Sequence, residues 1–189
     1  MSNLIPIVVT GPTFEPVTLA QARKQVELAE SERAHDEHLT LLIQSAREQL
    51  ETDADIVLGQ KTVKVYDEDF DNPIRLQLKP VQSISSIKYY DTLNNQQTLP
   101  TTYYDFNQPH RRIELKYNQS WPATVGIRYD AVEITYVAGY SSQALIPALA
   151  KQACLLLIGN WFEGRDMLKE SDAKTYDRIV TRLMRSTYP

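Results

Sequence analysis

The sequence predicts an α+β fold: a helical bundle of about four helices with an antiparallel β-rich insertion between the second and third. Three observations carry this expectation. Before residue 55 and after residue 147, apolar side chains recur every three to four positions. Between Gly59 and Tyr140 they recur every second position. Turn-forming residues punctuate that middle stretch at intervals of roughly ten residues. The predicted organisation is a single subunit, 1–189, with a helical core from 17–55 and 145–189 and a β-rich insertion at 60–140.

An extended lead, Ile5 to Pro16, carries three prolines. Thr18-Leu19-Ala20-Gln21 then fits a capping box, in which the Thr18 hydroxyl accepts the Gln21 N–H and the Gln21 side chain reaches back. Leu19, Ala22, Val26 and Ala29 share a face, so a first helix is predicted over 18–29. Asp36 is placed to cap a second helix over 36–53, with Glu37 at the positive end of its dipole. Leu39, Leu42, Ile43, Ala46 and Leu50 form its apolar stripe. Gln44, Glu48 and Glu51 are expected to face water, and Arg47 and Glu51 to form an i, i+4 pair.

In the middle, strands are predicted around Val63 and Val65, around Ile74, Leu76 and Leu78 up to Pro80, and around Ile87 and Tyr89 before an Asn94-Asn95 turn. More follow around Ile113, Leu115 and Tyr117, around Val125, Ile127 and Tyr129, and around Val132, Ile134 and Tyr136. Alternation of this kind gives each strand one buried and one wet face, as in antiparallel sheets.

Helix returns at Pro147, well placed at a first helical position, and runs to 163. Leu149, Ala153, Cys154 and Leu157 are expected to be buried, and Leu155, Leu156 and Ile158 make the helix apolar almost all round. A last helix over 172–186, capped by Ser171 or Asp172, carries Tyr176, Ile179, Val180, Leu183 and Met184 on one face. Arg178, Arg182 and Arg185 lie opposite. Its apolar face can pack on the bundle. Alternatively it can dock, with the tail through Tyr188 and Pro189, on a neighbouring subunit or partner whose acidic groups meet the arginines.

Composition narrows the function classes. Twenty Lys and Arg against 24 Asp and Glu give a net charge of −4, the wrong balance for a protein whose main task is gripping nucleic acid. Cys154 is the single cysteine, which excludes an intramolecular disulfide and a cysteine metal cluster. The apolar run Ala153–Ile158 is far short of the roughly 20 residues of a membrane span. No signal-peptide pattern opens the chain. Folding in a reducing cytoplasm is expected, without a membrane partner.

A search for chemistry returns no centre, so no catalytic, cofactor-binding or metal-binding residue is assigned. The six glycines form no phosphate-binding frame, and Gly139-Tyr140-Ser141-Ser142 reads as a turn. His35 and His38 lie three apart without a third ligand at helical spacing and read as a solvated cap. Asp67, Asp69 and Asp71 begin like a calcium loop, but Asn72 stands where the glycine belongs and Leu78 where the bidentate Glu belongs. That leaves an acidic hairpin end. Glu51 with Asp53 could be drawn as an acid/base couple, but two carboxylates at a helix end are common. Trp121-Pro122 and Trp161-Phe162 read as packing aromatics, and Cys154 as an inert buried thiol.

The wording of the sequence adds to this. Pro16-Val17-Thr18-Leu19-Ala20-Gln21-Ala22, followed by Leu42-Ile43-Gln44-Ser45-Ala46-Arg47-Glu48, resembles the opening of the head–tail connector (adaptor) family of tailed phages, in its branch with a β-rich insertion. Ile74-Arg75-Leu76 through Pro80-Val81-Gln82-Ser83-Ile84, then Ile87-Lys88-Tyr89-Tyr90-Asp91, resembles that family's strand–proline–strand element. Ser120-Trp121-Pro122-Ala123-Thr124 and Val132 to Tyr140 resemble its next stretch, and Pro147 to Arg165 its closing helix. The order of the pieces is kept over almost the whole chain. Asp55 to Gly59 departs from the turn usual after the second helix, and the link Arg165 to Glu170 is shorter than in some relatives.

The resemblance implies a structural protein of the virion, at the head–tail interface, assembled in the host bacterial cytoplasm. It implies a ring of identical subunits, a dodecamer when assembled, that binds the portal protein, lengthens the DNA channel and receives the next head-completion or tail-side protein. DNA would pass through without specific binding. It implies no enzyme activity and no cofactor. Two other readings stay open: another phage assembly module, such as a tail-completion, stopper or assembly factor, and a small enzyme or ligand-binding domain.

Overall fold

The computed structural model describes residues 5–29, 31–164 and 170–185. In chain order these form β1 (Ile7–Thr10), α1 (Leu19–Gln25), α2 (Asp36–Ala54), β2 (Lys61–Asp67), β3 (Ile74–Arg75), β4 (Val81–Tyr90), β5 (Gln96–Thr98), β6 (Tyr104–Asn107), β7 (Arg112–Leu115) and β8 (Val132–Ala138). A 3-10 turn at Gln143–Leu145 leads into α3 (Ala148–Phe162), and α4 (Glu170–Arg185) ends the description. The fold is α+β, with four helices and the β-rich stretch between α2 and α3. The expected link from Arg165 and the tail through Tyr188 and Pro189 lie outside the described residues, the link's last residue, Glu170, apart.

Two compact units make up the chain, a helical one from 12–59 and 140–185 and a β-rich one from 5–11 and 60–139. In the helical unit the Thr18 capping box forms as its sequence requires: the Thr18 hydroxyl accepts the Gln21 N–H, and the Gln21 side chain accepts the Thr18 N–H at 2.8 Å. The first helix is shorter than predicted. Glu27 takes a left-handed conformation (φ 58°), while the Leu28 N–H bonds to the Arg23 carbonyl and the Glu27 N–H to the Lys24 carbonyl. That is a Schellman stop with Glu where glycine is usual.

At the start of α2 the residue preceding the helix is His35, without a side-chain capping bond. Asp36 is already helical, and it pairs with the guanidinium of Arg23 instead of capping. Leu39, Leu42, Ile43, Ala46 and Leu50 are buried. They pack with Ala153, Cys154, Leu157 and Ile158 of α3 and with Tyr176, Ile179 and Leu183 of α4. Pro147 sits one position before α3 rather than in its first turn. Leu149, predicted to be buried, is 37% exposed; it falls in the first turn of the helix, at the margin of the face that carries Ala150, Ala153, Cys154 and Leu157.

Glu51 also departs from expectation. Its side chain turns inward, accepting the Leu58 N–H at 2.7 Å and the Arg47 guanidinium at 3.4 Å. Arg47 is itself buried and reaches Glu15 at 2.9 Å and Glu48 at 3.2 Å. Burial works against its charge, but Glu15 and Glu51 outweigh that and hold its pKa above the ordinary value. One guanidinium therefore ties the lead, α2 and the segment after α2 together.

The β-rich unit contains a five-stranded antiparallel sheet in the order β1-β2-β8-β4-β5 and a three-stranded sheet in the order β3-β7-β6. Register explains the buried row of the larger sheet: Val65 faces Ile134, and Ile134 faces Ile87 on the next strand. Two register shifts in β4, near Val81–Ser83 and Ile84–Ser86, interrupt its alternation.

Two predicted strands are cut back, for lack of a partner. The strand around Ile74 pairs only at Ile74 and Arg75, because β7 begins at Arg112 and the chain turns before it; the Leu76 N–H takes the Arg111 carbonyl instead. Residues 125–129 form no strand, since β4 already has β8 on one side and β5 on the other. Conversely, Ile7–Thr10, expected only as extended lead, adds to β2 as the edge strand β1.

Candidate functional site

Most of the groups singled out in the sequence as candidates for chemistry are engaged in other contacts. Cys154 is buried, with its sulfur 4.0 Å from the Ala46 carbonyl. Burial, with Glu15 and Glu51 adding to it, pushes its thiol up to about 12, so at neutral pH it is no nucleophile. Glu51 and Asp53 do not face each other as an acid/base couple: Glu51 serves Arg47 and the Leu58 N–H, whereas Asp53 accepts the Tyr176 hydroxyl at 2.7 Å and the Gln49 amide at 3.0 Å. His35 and His38 pack on the Phe162 ring, at centroid distances of 5.5 and 6.0 Å. Among the described residues no group of three or more His, Cys, Asp or Glu is placed to hold a metal ion, and no helix is long and apolar enough to cross a membrane. A cleft of about 780 Å³ is lined by Leu19, Ala20, Arg23, Lys24, Leu28, Ala29 and Arg33. It offers cations and apolar walls but no acid–base pair.

The surface of α4 is built in two halves. Tyr176, Ile179 and Leu183 are buried in the core of the helical unit, and Val180 packs partly buried against it. Burial and the neighbouring Asp53 carboxylate raise the Tyr176 pKa. Met184, assigned to the same apolar face, is half exposed. The opposite side carries Arg178, Arg182 and Arg185, which with Asp177 and Thr181 line a shallow groove of about 320 Å³. The chain's own core thus occupies the apolar half, and the arginine half faces outward.

A second assembled surface lies at one end of the five-stranded sheet. Phe70 stacks on Trp121 at 4.8 Å and meets Tyr89 edge-on at 5.7 Å. Asp69, in the acidic run that began like a calcium loop, accepts the Phe70 N–H and the Thr124 hydroxyl. These contacts pin the segment from Trp121 onward against the end of β4, where the Val125 N–H bonds to the Tyr90 carbonyl. Arg128 then clips two loops together. Its guanidinium lies 3.8 Å from the centroid of the Tyr90 ring, makes two hydrogen bonds to Asp130 at 2.9 and 2.8 Å, and donates to Asn94 at 3.1 Å. The Arg128 hydrogen bonds, working against the cost of burial, hold the Asp130 carboxyl below its ordinary pKa.

Around this clip, Leu93, Ile127 and Tyr129 are 80%, 92% and 77% exposed. Sequence reasoning missed the surface by reading Val125, Ile127 and Tyr129 as a strand. The contrary signal was present in Gly126 and Asp130, turn-formers inside and beside the supposed alternation.

No family model matches the chain, and no curated protein does. Among solved structures the fold is shared with a chain of the virion of a native gene transfer agent particle, at a TM-score of 0.77 and 18% identity over 95% of this chain and 94% of that one. It is shared too with a chain of the neck of an empty gene transfer agent particle computed with C6 symmetry, at a TM-score of 0.76 and 18% identity over the same shares. A chain of the neck of a native particle computed with C12 symmetry gives 0.73 and 17%, again over 95% and 94%. At this identity the likeness is one of fold, and it runs from end to end.

Proposed function

We propose that this chain is a structural subunit of a phage or prophage head-to-tail connector: a ring of identical copies at the neck of the virion. In this reading it docks on the portal protein, extends the DNA channel, receives the next tail-side protein, is assembled in the host cytoplasm, and neither catalyses a reaction nor needs a cofactor. The observation that carries the reading is the end-to-end likeness of fold to chains from particle necks. The ordered motifs from Pro16 to Arg165 point the same way.

Within this reading the arginine side of α4 meets acidic groups on the portal or a neighbouring copy, and steers docking more than it supplies affinity. Mass spectrometry of purified particles tests the proposal. Several copies per particle are expected, lost when the neck is stripped from the head. A chain required for assembly but missing from finished particles would make it an assembly factor instead.

A further inference from the structure

Among the described residues the chain passes between its two units three times, and each passage carries a glycine: Gly11–Pro12, Gly59–Gln60 and Gly139–Tyr140. In the β-rich unit the three passages leave from neighbouring strands at one end of the five-stranded sheet. β1 ends at Thr10, β2 begins at Lys61 and β8 ends at Ala138. Thr10 stands level with Thr62, and Lys61 with Ala138. Two strand spacings span that row, roughly 10 Å.

In the helical unit the same passages arrive side by side. A Cβ added to Gly59 would stand 2.6 Å from the Pro12 Cβ and 2.7 Å from the Phe14 carbonyl oxygen. Only glycine lets these segments approach so closely. Tyr140 donates its N–H to the Leu58 carbonyl at 3.4 Å and makes an isolated bridge with Gly59.

The β2–β8 ladder does not run on through the passage. The register that pairs Lys61 with Ala138 would next pair Gly59 with Tyr140 in the antiparallel sense, yet that pair is bridged in the parallel sense. Gly139 lies between, at φ 99°, a conformation that glycine adopts at little cost. Its N–H bonds to the Pro80 carbonyl at 2.8 Å, and its own carbonyl accepts the Gln82 amide at 2.8 Å. Gly139 is therefore held within the β-rich unit, and Tyr140, the next residue, within the helical one.

We propose that this row of passages is a hinge, on which the β-rich unit swings as one body about the line through Gly11, Gly59 and Gly139. Hinges are made of a few positions at the ends of elements that absorb changes in φ and ψ, and β1, β2 and β8 all end here. Three attachments in a row permit rotation about the row and resist rotation across it. β4 carries the motion outward: Val81 faces Ala138 at the row, and Tyr89, toward the other end of this ten-residue strand, faces Val132. The hairpin tip beyond Tyr90 thus lies on the order of 30 Å from the row. A rotation of roughly 15°, ordinary for packed bodies, would carry it through about 8 Å. The hinge follows from the connections alone and does not require the connector reading.

Distances between pairs of nitroxide labels, measured by double electron–electron resonance on the free chain, test it. Gln44→Cys marks α2, Ser83→Cys the sheet near the row, and Thr92→Cys the far tip; all three positions are exposed. Cys154 is buried and stays unlabelled. The Gln44–Thr92 distribution is expected to be roughly twice as wide as the Ser83–Thr92 one, with Gln44–Ser83 between them, because displacement grows with distance from the axis. A second set at Leu41, Ser85 and Leu93, also exposed, should give the same order. A Gln44–Thr92 distribution as narrow as Ser83–Thr92 would mean that the connections are stiff. A Ser83–Thr92 distribution as broad as Gln44–Thr92 would mean that the tip bends and the unit does not swing. Either result overturns the hinge. Neither portal nor particle enters the measurement, so its failure leaves the connector reading standing, and a chain absent from particles leaves the hinge standing.

Discussion

At the scale of single residues the helical unit depends on two buried or half-buried cations. Arg47 holds Glu15, Glu48 and Glu51, and Glu51 in turn holds the Leu58 N–H. Removing the guanidinium strands Glu51 against the core. Breaking a buried pair costs roughly 3–5 kcal/mol, and partial exposure of Glu15 places Arg47→Ala at the lower end; urea melts measure it. Arg23 and Asp36 set a pH dependence. The hydrogen bond to Arg23 first, and its charge after the cost of burial, lower the Asp36 pKa from 3.8. A carboxylate whose native pKa lies below its unfolded one adds stability that is fully present above the unfolded value and is lost as pH falls through the native one. Thermal melts of the wild type and Asp36→Asn should therefore differ near neutrality, and the gap should close as pH drops below 3.8. A gap unchanged at low pH would mean the pair contributes nothing.

At the scale of elements, helices were the most legible part of the sequence. A capping box and a 3.6-residue stripe are local, so Thr18–Gln21 and Leu39 to Leu50 could be read without tertiary knowledge. Leu157 belongs to that stripe logic. It is buried among α2 and α4 residues, and Leu157→Ala should cost about 2–5 kcal/mol in a denaturant melt. Less than about 1 kcal/mol would place this face outside the core. Strand extents were less legible because a strand needs a partner, and partnership is not a local property. Ile74 to Leu78 alternates well but runs past the end of β7. Ile7–Thr10 has no alternation to reveal it, yet finds β2. The inward turn of Glu51 and the Arg128 clip were invisible for the same reason, since both are made by groups brought together only on folding.

At the scale of the whole molecule, the described surfaces include an arginine-lined helix side, an exposed edge strand and an exposed apolar tip. Its net charge of −4 gives the free protein no general attraction for the phosphate backbone. Fluorescence anisotropy with duplex DNA at physiological salt should detect negligible binding; micromolar, strongly salt-dependent binding would show a cationic face dominating the field.

The central claim is that copies of this chain assemble on a portal, and native mass measurement of the purified portal protein, alone and with this chain added, tests it most directly. One added mass increment is expected, equal to a full ring of this chain in register with the portal's own symmetry. A portal mass that does not change when the chain is present in excess would contradict it.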